Sequence, residues 1–205
     1  MGIYAEKVIP RLQDKVMSRK DHRDVRARIC VGLSGEVLEV GFGTGLNVPF
    51  YPAEVTRLFA VEPSRLCLQL AEERIARSNT PVELAGLTGE RLDFPSGTFD
   101  AVLSTWTLCT IPNLPAALDE LLRVLKPGSS FHFVEHGDAP DDKIARWQRR
   151  IEPLHKKLAG GCHLTRHIPE HIQRAGFRIE QLKSYYLEGV PKPYGYTFEG
   201  IASKT

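Results

Sequence analysis

The chain has 205 residues, 42% of them hydrophobic and 25% charged, with a formal net charge of +2. That is the size and balance of one globular core, and a near-neutral charge gives no electrostatic footprint for nucleic acid. No apolar run approaches the roughly 18 residues of a membrane span, and the opening M-G-I-Y-A-E-K-V-I-P lacks the basic-then-apolar plan of a secretion signal.

Residues 4–29 carry Val8, Leu12, Val16, Met17, Val25 and Ile29 at helical spacing. They predict one or two amphipathic helices, with Pro10 near a helix start, and residues 1–35 form a helical cap. A short buried strand is predicted over 36–40, a second over 57–61, a helix over 64–78 and a weaker third strand over 82–86. Phe99–Ser104 reads as a fourth strand, 115–125 as a helix stopped by Pro127-Gly128, and Ser130–Glu135 as a fifth strand. Residues 141–158 put Ile144, Trp147, Ile151, Leu154 and Leu158 on one helical face, with Pro153 expected to kink or split it. A short helix at 169–175 and strands at 177–187 and 196–203 complete the chain. The alternation predicts a Rossmann-like α/β fold: a seven-stranded, mostly parallel sheet with helices on both faces. The last two strands have no room for a crossover helix, so they form an antiparallel C-terminal hairpin. We take 1–205 as one domain, with a cofactor core over 36–136 and acceptor-side helices plus the hairpin over 137–205.

Cys30, Cys67, Cys109 and Cys162 lie far apart without a C-x-x-C pair, as expected of reduced thiols in a cytoplasmic protein. Lys and Arg exceed Asp and Glu by eight to four over residues 1–35 and by six to three over 141–157. Most such faces are simply solvated. They leave room for weak, salt-sensitive association with an anionic surface and for no stable membrane insertion. No oligomeric state is legible.

The principal signal is V-L-E-V-G-F-G-T-G-L-N at 37–47, a strand running into Gly41, Gly43 and Gly45. Glycines belong where a backbone turns sharply and a ligand lies against it, and the helical turn that follows points free N–H groups at an anion. The spacing is G-x-G-x-G, whereas pyrophosphate-binding loops use G-x-G-x-x-G. Glu39 and Asn47 flank the glycines. Glu62 ends the second strand, followed by Pro63 and Ser64, and an acid there suits both ribose hydroxyls of a nucleoside.

The segment L-T-G-E-R-L-D-F-P-S-G-T-F-D at 87–100 then resembles the adenine-binding loop of class I S-adenosylmethionine (SAM)-dependent methyltransferases of the type 11 group. R-V-L-K-P-G at 123–128 is similar to the family's helix end before the fifth strand. The resemblance implies SAM as methyl donor and S-adenosylhomocysteine as product. It places Thr88, Gly89 and Glu90 at the adenine, with Thr88 where the family more usually has Asp, and Ser104 and Thr105 near the transferable methyl.

Further on, T-W-T-L-C-T-I-P-N (105–113), F-V-E-H-G (133–137), G-C-H-L-T-R (161–166) and P-Y-G-Y (193–196) resemble one branch of that family. It contains the alkyl-thiol S-methyltransferases and small bacterial proteins resembling phospholipid N-methyltransferases. The animal members' N-terminal membrane-anchoring segment has no counterpart here, so a soluble protein is expected. The resemblance implies a small-molecule acceptor, a thiol first and an amine or phospholipid second. It implies an acceptor pocket of Trp106, Cys109, Cys162, Arg166 and Tyr194. His136 is placed to take a proton from an incoming thiol or amine, with Glu135 beside it, although the pair also reads as a hydrogen-bonded shaping element. Arg166 is placed to pair with an acidic group on the fold or on a substrate. Cys162, His163, His167 and His171 do not make a ligand set, because Pro169 interrupts their helical spacing, so no metal is expected. Two rivals are a nucleotide-dependent oxidoreductase, which the 87–100 loop opposes, and a non-catalytic SAM-binding module, which turnover would separate.

Overall fold

The computed structural model describes residues 8–86 and 88–205. The start of the first predicted helix, residues 4–7, and Leu87 of the 87–100 loop lie outside the described residues. Seven strands form one sheet in the order β3-β2-β1-β4-β5-β7-β6. They are β1 (Gly35–Val40), β2 (Val55–Val61), β3 (Val82–Gly86), β4 (Phe99–Thr105), β5 (Leu125–His136), β6 (Phe177–Tyr186) and β7 (Tyr196–Lys204). The first five pair in parallel, and β7 runs antiparallel to both β5 and β6. The predicted architecture and its closing hairpin are therefore present.

Side chains of a strand point alternately to the two faces of the sheet, and here both faces are apolar. Leu38, Val40, Phe59, Val61 and Val102 join one buried cluster with Leu114, Leu118 and Leu121 of α4 (Leu114–Val124) and Ile168 and Ile172 of α6 (Ile168–Arg174). Val37, Leu58, Ala60, Ala101 and Leu103 join the other, with Val25 and Ile29 of α2 (Lys20–Ile29) and Ala71 of α3 (Arg65–Ala76). A sheet buried on both faces needs such near-continuous apolar strands.

Before α2 stands α1 (Ile9–Met17), with Pro10 in its first turn as expected. Asp14 of α1 accepts from Thr44 Oγ1 at 2.6 Å and from Arg74 Nη1 at 2.8 Å, and Arg74 also donates to Thr44 O at 2.8 Å. The cap thus grips the glycine loop directly.

One alternative is removed: the helix α5 (Asp142–Leu158) contains Pro153 within a single helix and is not split there. Of its predicted apolar face, Ile144 and Ile151 are half-buried and Trp147, Leu154 and Leu158 exposed, while Gln148 is 1% exposed. Gln148 bonds Ala139 N, Gly137 O and Pro193 O, so polar satisfaction of three backbone groups sets the helix rotation. A short helix, α7 (Lys192–Gly195), occupies the hairpin connection.

The α2 helix is tied to the hairpin by Glu199 of β7, which is 6% exposed. It accepts from Arg28 Nη2 at 2.8 Å, from Arg28 Nε at 3.2 Å and from Tyr185 OH at 2.5 Å. Arg28 is half exposed, so solvent screens part of this. Glu199→Ala is expected to lower the unfolding free energy by about 1–2 kcal/mol, measured by urea denaturation.

Candidate active site

The carboxyl ends of β1, β2, β4 and β5 converge beside the point where strand order reverses, the usual ligand crevice of such sheets. Gly41, Gly43 and Gly45 follow β1 with φ of 75°, 58° and 74°, a left-handed run that L side chains rarely adopt. A Cβ on Gly41 would overlap the Thr107 side chain, whereas nothing lies nearer than 3.8 Å to one built on Gly43. The loop is therefore clamped at one glycine and open at another.

Glu62, at the end of β2, accepts from Gly43 N and from Ser64 N, each at 2.8 Å, one on each oxygen. Burial pushes its pKa up against those two bonds, and each oxygen keeps one lone pair for a hydroxyl donor. Pro63 is exposed and Ser64 caps α3 by accepting from Cys67 N. In the following loop Gly89 is buried, Thr88 is exposed, and Glu90 Oε1 accepts from Asn113 N at 2.8 Å, which leaves its other oxygen for a ligand.

On the floor of the cleft, Glu39 accepts from Asn47 Nδ2 at 2.8 Å and from Tyr51 OH. Burial lifts its pKa to about 7, opposed by the Tyr51 and Asn47 bonds. Arg26 of α2 donates to Asn47 Oδ1 and Thr105 Oγ1, both at 2.7 Å, and stacks over Trp106 at 4.9 Å. His22 lies 5.0 Å from the Trp106 ring, and burial pushes its pKa down to about 4, so it is neutral. Among the described residues, His22 Nδ1, Arg26 Nε and Trp106 Nε1 are buried without a partner. Three unmet polar groups beside an open glycine loop fit a polar, charged cofactor such as SAM. Sequence reasoning missed His22, Arg26 and Tyr51, because only the fold brings the N-terminal cap and the turn after the glycines to this floor.

Glu135 ends β5 and is fully buried. Its Oε1 accepts from Ser104 Oγ (2.9 Å), Thr107 N (3.0 Å) and Leu108 N (3.0 Å), and its Oε2 from Cys109 N (3.1 Å). Burial pushes its pKa up against these bonds. The carboxylate is spent on holding the 104–109 turn, in which Trp106 sits at φ 52° and the Ser104 hydroxyl is engaged by Glu135. Arg166 donates through Nη1 to Leu108 O at 2.7 Å and so supports the same turn.

That turn brings Cys109 to Cys162, with sulfurs 3.5 Å apart. His136 Nδ1 lies 3.7 Å from Cys162 Sγ. Bonds from Cys109 and His136 hold the Cys162 thiol well below its usual pKa. His136 is therefore engaged with a cysteine and does not stand free. Tyr194 is exposed, its ring 5.3 Å from that of His155. The His163 and His167 rings turn away to Glu152 (3.1 Å) and Asp138 (2.8 Å), so Cys162, His163, His167 and His171 form no shared site.

This fold and cleft define a class I methyltransferase. A model described as "Methyltransferase domain" matches residues 38–133. Over 188 residues the chain is 34% identical to thiol S-methyltransferase TMT1B of Rattus norvegicus, covering 88% of this chain and 74% of that protein. It is 35% identical over 104 residues to phosphatidylethanolamine N-methyltransferase of Cereibacter sphaeroides, covering 50% of this chain and 51% of that one. A solved SAM-dependent methyltransferase from Thermotoga maritima superposes with a TM-score of 0.71 at 19% identity, covering 99% of each chain. The chain belongs to the SAM-dependent methyltransferase family, and SAM is its methyl donor.

Glu135→Ala would orphan three backbone N–H groups and the Ser104 hydroxyl. We expect a loss of about 3–5 kcal/mol of stability, read by urea unfolding against wild type.

Proposed function

We propose that this enzyme transfers the methyl of SAM to the sulfur of a small, fairly apolar thiol. The observation that carries the reading is the meeting of Cys109, Cys162 and His136 at the end of β5, all within 4.8 Å of one another. The similarity to thiol S-methyltransferases over most of the chain supports it.

SAM supplies an already activated methyl, so the protein's task is alignment and exclusion of water. Gly41, Gly43, Gly45 and the neighbouring Asn47 would cradle the amino-acid end, with Glu39, Arg26 and Thr105 behind it. Glu62, with Pro63 and Ser64, would take the ribose, and Thr88, Gly89 and Glu90 the adenine. Trp106, Cys109, Cys162, Arg166 and Tyr194 would bound the acceptor. Glu135 and His136 act there by different means: Glu135 fixes the 104–109 turn, and His136 meets the acceptor beside the two sulfurs. Residues 137–205 then form the acceptor side of a single domain.

An amine acceptor, including a phospholipid headgroup, is the second reading. It is supported by the similarity to phosphatidylethanolamine N-methyltransferase and by Trp147, Leu154 and Leu158, exposed on α5 among its basic residues. No described helix is long and apolar enough to cross a membrane, but such a stripe suits weak contact with a lipid surface. The four free cysteines suit the reducing cytoplasm.

Glu62→Ala is expected to weaken S-adenosylhomocysteine binding by about 1.5–3 kcal/mol in calorimetry, with NAD failing to bind wild type. Unchanged affinity would remove Glu62 from the ribose. Labelled SAM offered with alkyl thiols, small amines and phosphatidylethanolamine vesicles is expected to mark a thiol. His136→Ala is expected to lower kcat/KM for that thiol by about 100-fold, the scale of a misplaced reactant, while S-adenosylhomocysteine affinity holds. Turnover on amines alone would overturn the thiol reading.

A further inference from the structure

The Cys109–Cys162–His136 cluster has the shape of a metal site. For tetrahedral zinc, with Zn–S near 2.3 Å and Zn–N near 2.0–2.1 Å, two ligating sulfurs lie about 3.8 Å apart and a sulfur and nitrogen about 3.6 Å. The observed separations are 3.5 Å between the sulfurs and 3.7 Å from Cys162 Sγ to His136 Nδ1. Two of the three edges are thus close to those of one tetrahedron, and the third, from Cys109 to His136, lies within 4.8 Å.

The supports around them are equally fixed. Cys109 N is held by Glu135 Oε2, and Cys109 O accepts from His163 N at 2.9 Å. Gly160 and Gly161, at φ 64° and 94°, turn the chain so that Cys162 comes back onto this strand end. Leu164 is buried with the two cysteines, and Ile151 and Ala159 pack against them. Donors held by backbone bonds inside an apolar shell are the arrangement that tunes a bound metal.

We infer that Cys109, Cys162 and His136 bind one zinc ion whose fourth position takes the acceptor's sulfur. Two thiolates, one imidazole and an open position make the ligand set of catalytic rather than closed structural zinc. This inference rests on the thiol reading and supplies its chemistry. The acceptor R–SH binds zinc through sulfur and its proton passes to solvent water. The sulfur then forms a bond to the methyl carbon as the methyl–sulfonium bond breaks, and that electron pair stays on the sulfur of the departing S-adenosylhomocysteine. The product thioether carries no charge, binds zinc weakly and leaves. No oxidant or reductant is required. Selectivity for thiols follows, because a soft anionic sulfur is a better zinc ligand than a protonated amine.

The test uses the full chain, prepared with zinc and dialysed. Elemental analysis is expected to find one zinc per chain. Cys109→Ser, Cys162→Ser and His136→Ala should each weaken zinc binding by more than about 100-fold, beyond what changes outside the ligand set cause. S-adenosylhomocysteine affinity, unchanged in each, certifies the fold. His155→Ala should retain the metal, since His155, which bonds Cys162, is not a ligand in this reading; loss of zinc there would overturn the open fourth position. With cobalt(II) in place of zinc, the thiolate-to-cobalt absorption should appear and then change on adding an alkyl thiol but not an amine. A wild-type protein that folds and binds S-adenosylhomocysteine without retaining zinc or cobalt overturns the metal site. If that metal-free protein still methylates thiols, the thiol function stands alone. If metal binds but only amines are methylated, the function falls and the metal site remains.

Discussion

Glu135 receives four hydrogen bonds at the end of β5, and three of them come from consecutive backbone N–H groups of the 107–109 segment. A fully buried carboxylate is tolerated only when such donors compensate it. Here the compensation folds the chain after β4 into a fixed turn. That turn presses Thr107 against Gly41, places Trp106 beside Arg26 and His22, and delivers Cys109 to Cys162. The glycine-loop side and the Cys109–Cys162 side of the cleft are thus both set by one buried carboxylate.

The N-terminal cap adds a second constraint. Asp14 and Arg74 fasten α1 to the glycine loop, and Arg26 reaches from α2 to Asn47 and Thr105. Helices outside the matched residues 38–133 therefore pack against the glycine loop and its neighbours. Arg26 stays in place because two neutral oxygens and the Trp106 face accept it, while burial lowers its pKa to about 10 without removing its charge at neutral pH.

A largely buried cluster of two cysteines and a histidine and a cleft lined by polar groups sit on the same sheet edge. The first suits sulfur, and the second suits a zwitterionic, nucleoside-bearing donor. A methyl transfer joining them needs little proton chemistry from the protein, so most polar side chains here position other groups. Arg166 and Gln148 bond backbone groups, and Glu135 spends three of its four hydrogen bonds on backbone N–H groups.

By itself the sequence determined the alternation of strands and helices, the closing hairpin and the glycine loop with Glu62, because each is written in local periodicity, turn residues and spacing. It also carried Cys109, Glu135-His136 and Cys162 as separate motifs in a recognisable family pattern. Tertiary structure decided what those motifs do together. The rotation of α5 followed Gln148 rather than the apolar stripe, since satisfying three backbone groups outweighed covering Trp147. The histidines near Cys162 dispersed to Glu152 and Asp138, while its actual neighbours came from 26 and 53 positions away. Contacts across such distances arise when parallel strands end side by side, and no local pattern encodes which loop will meet which.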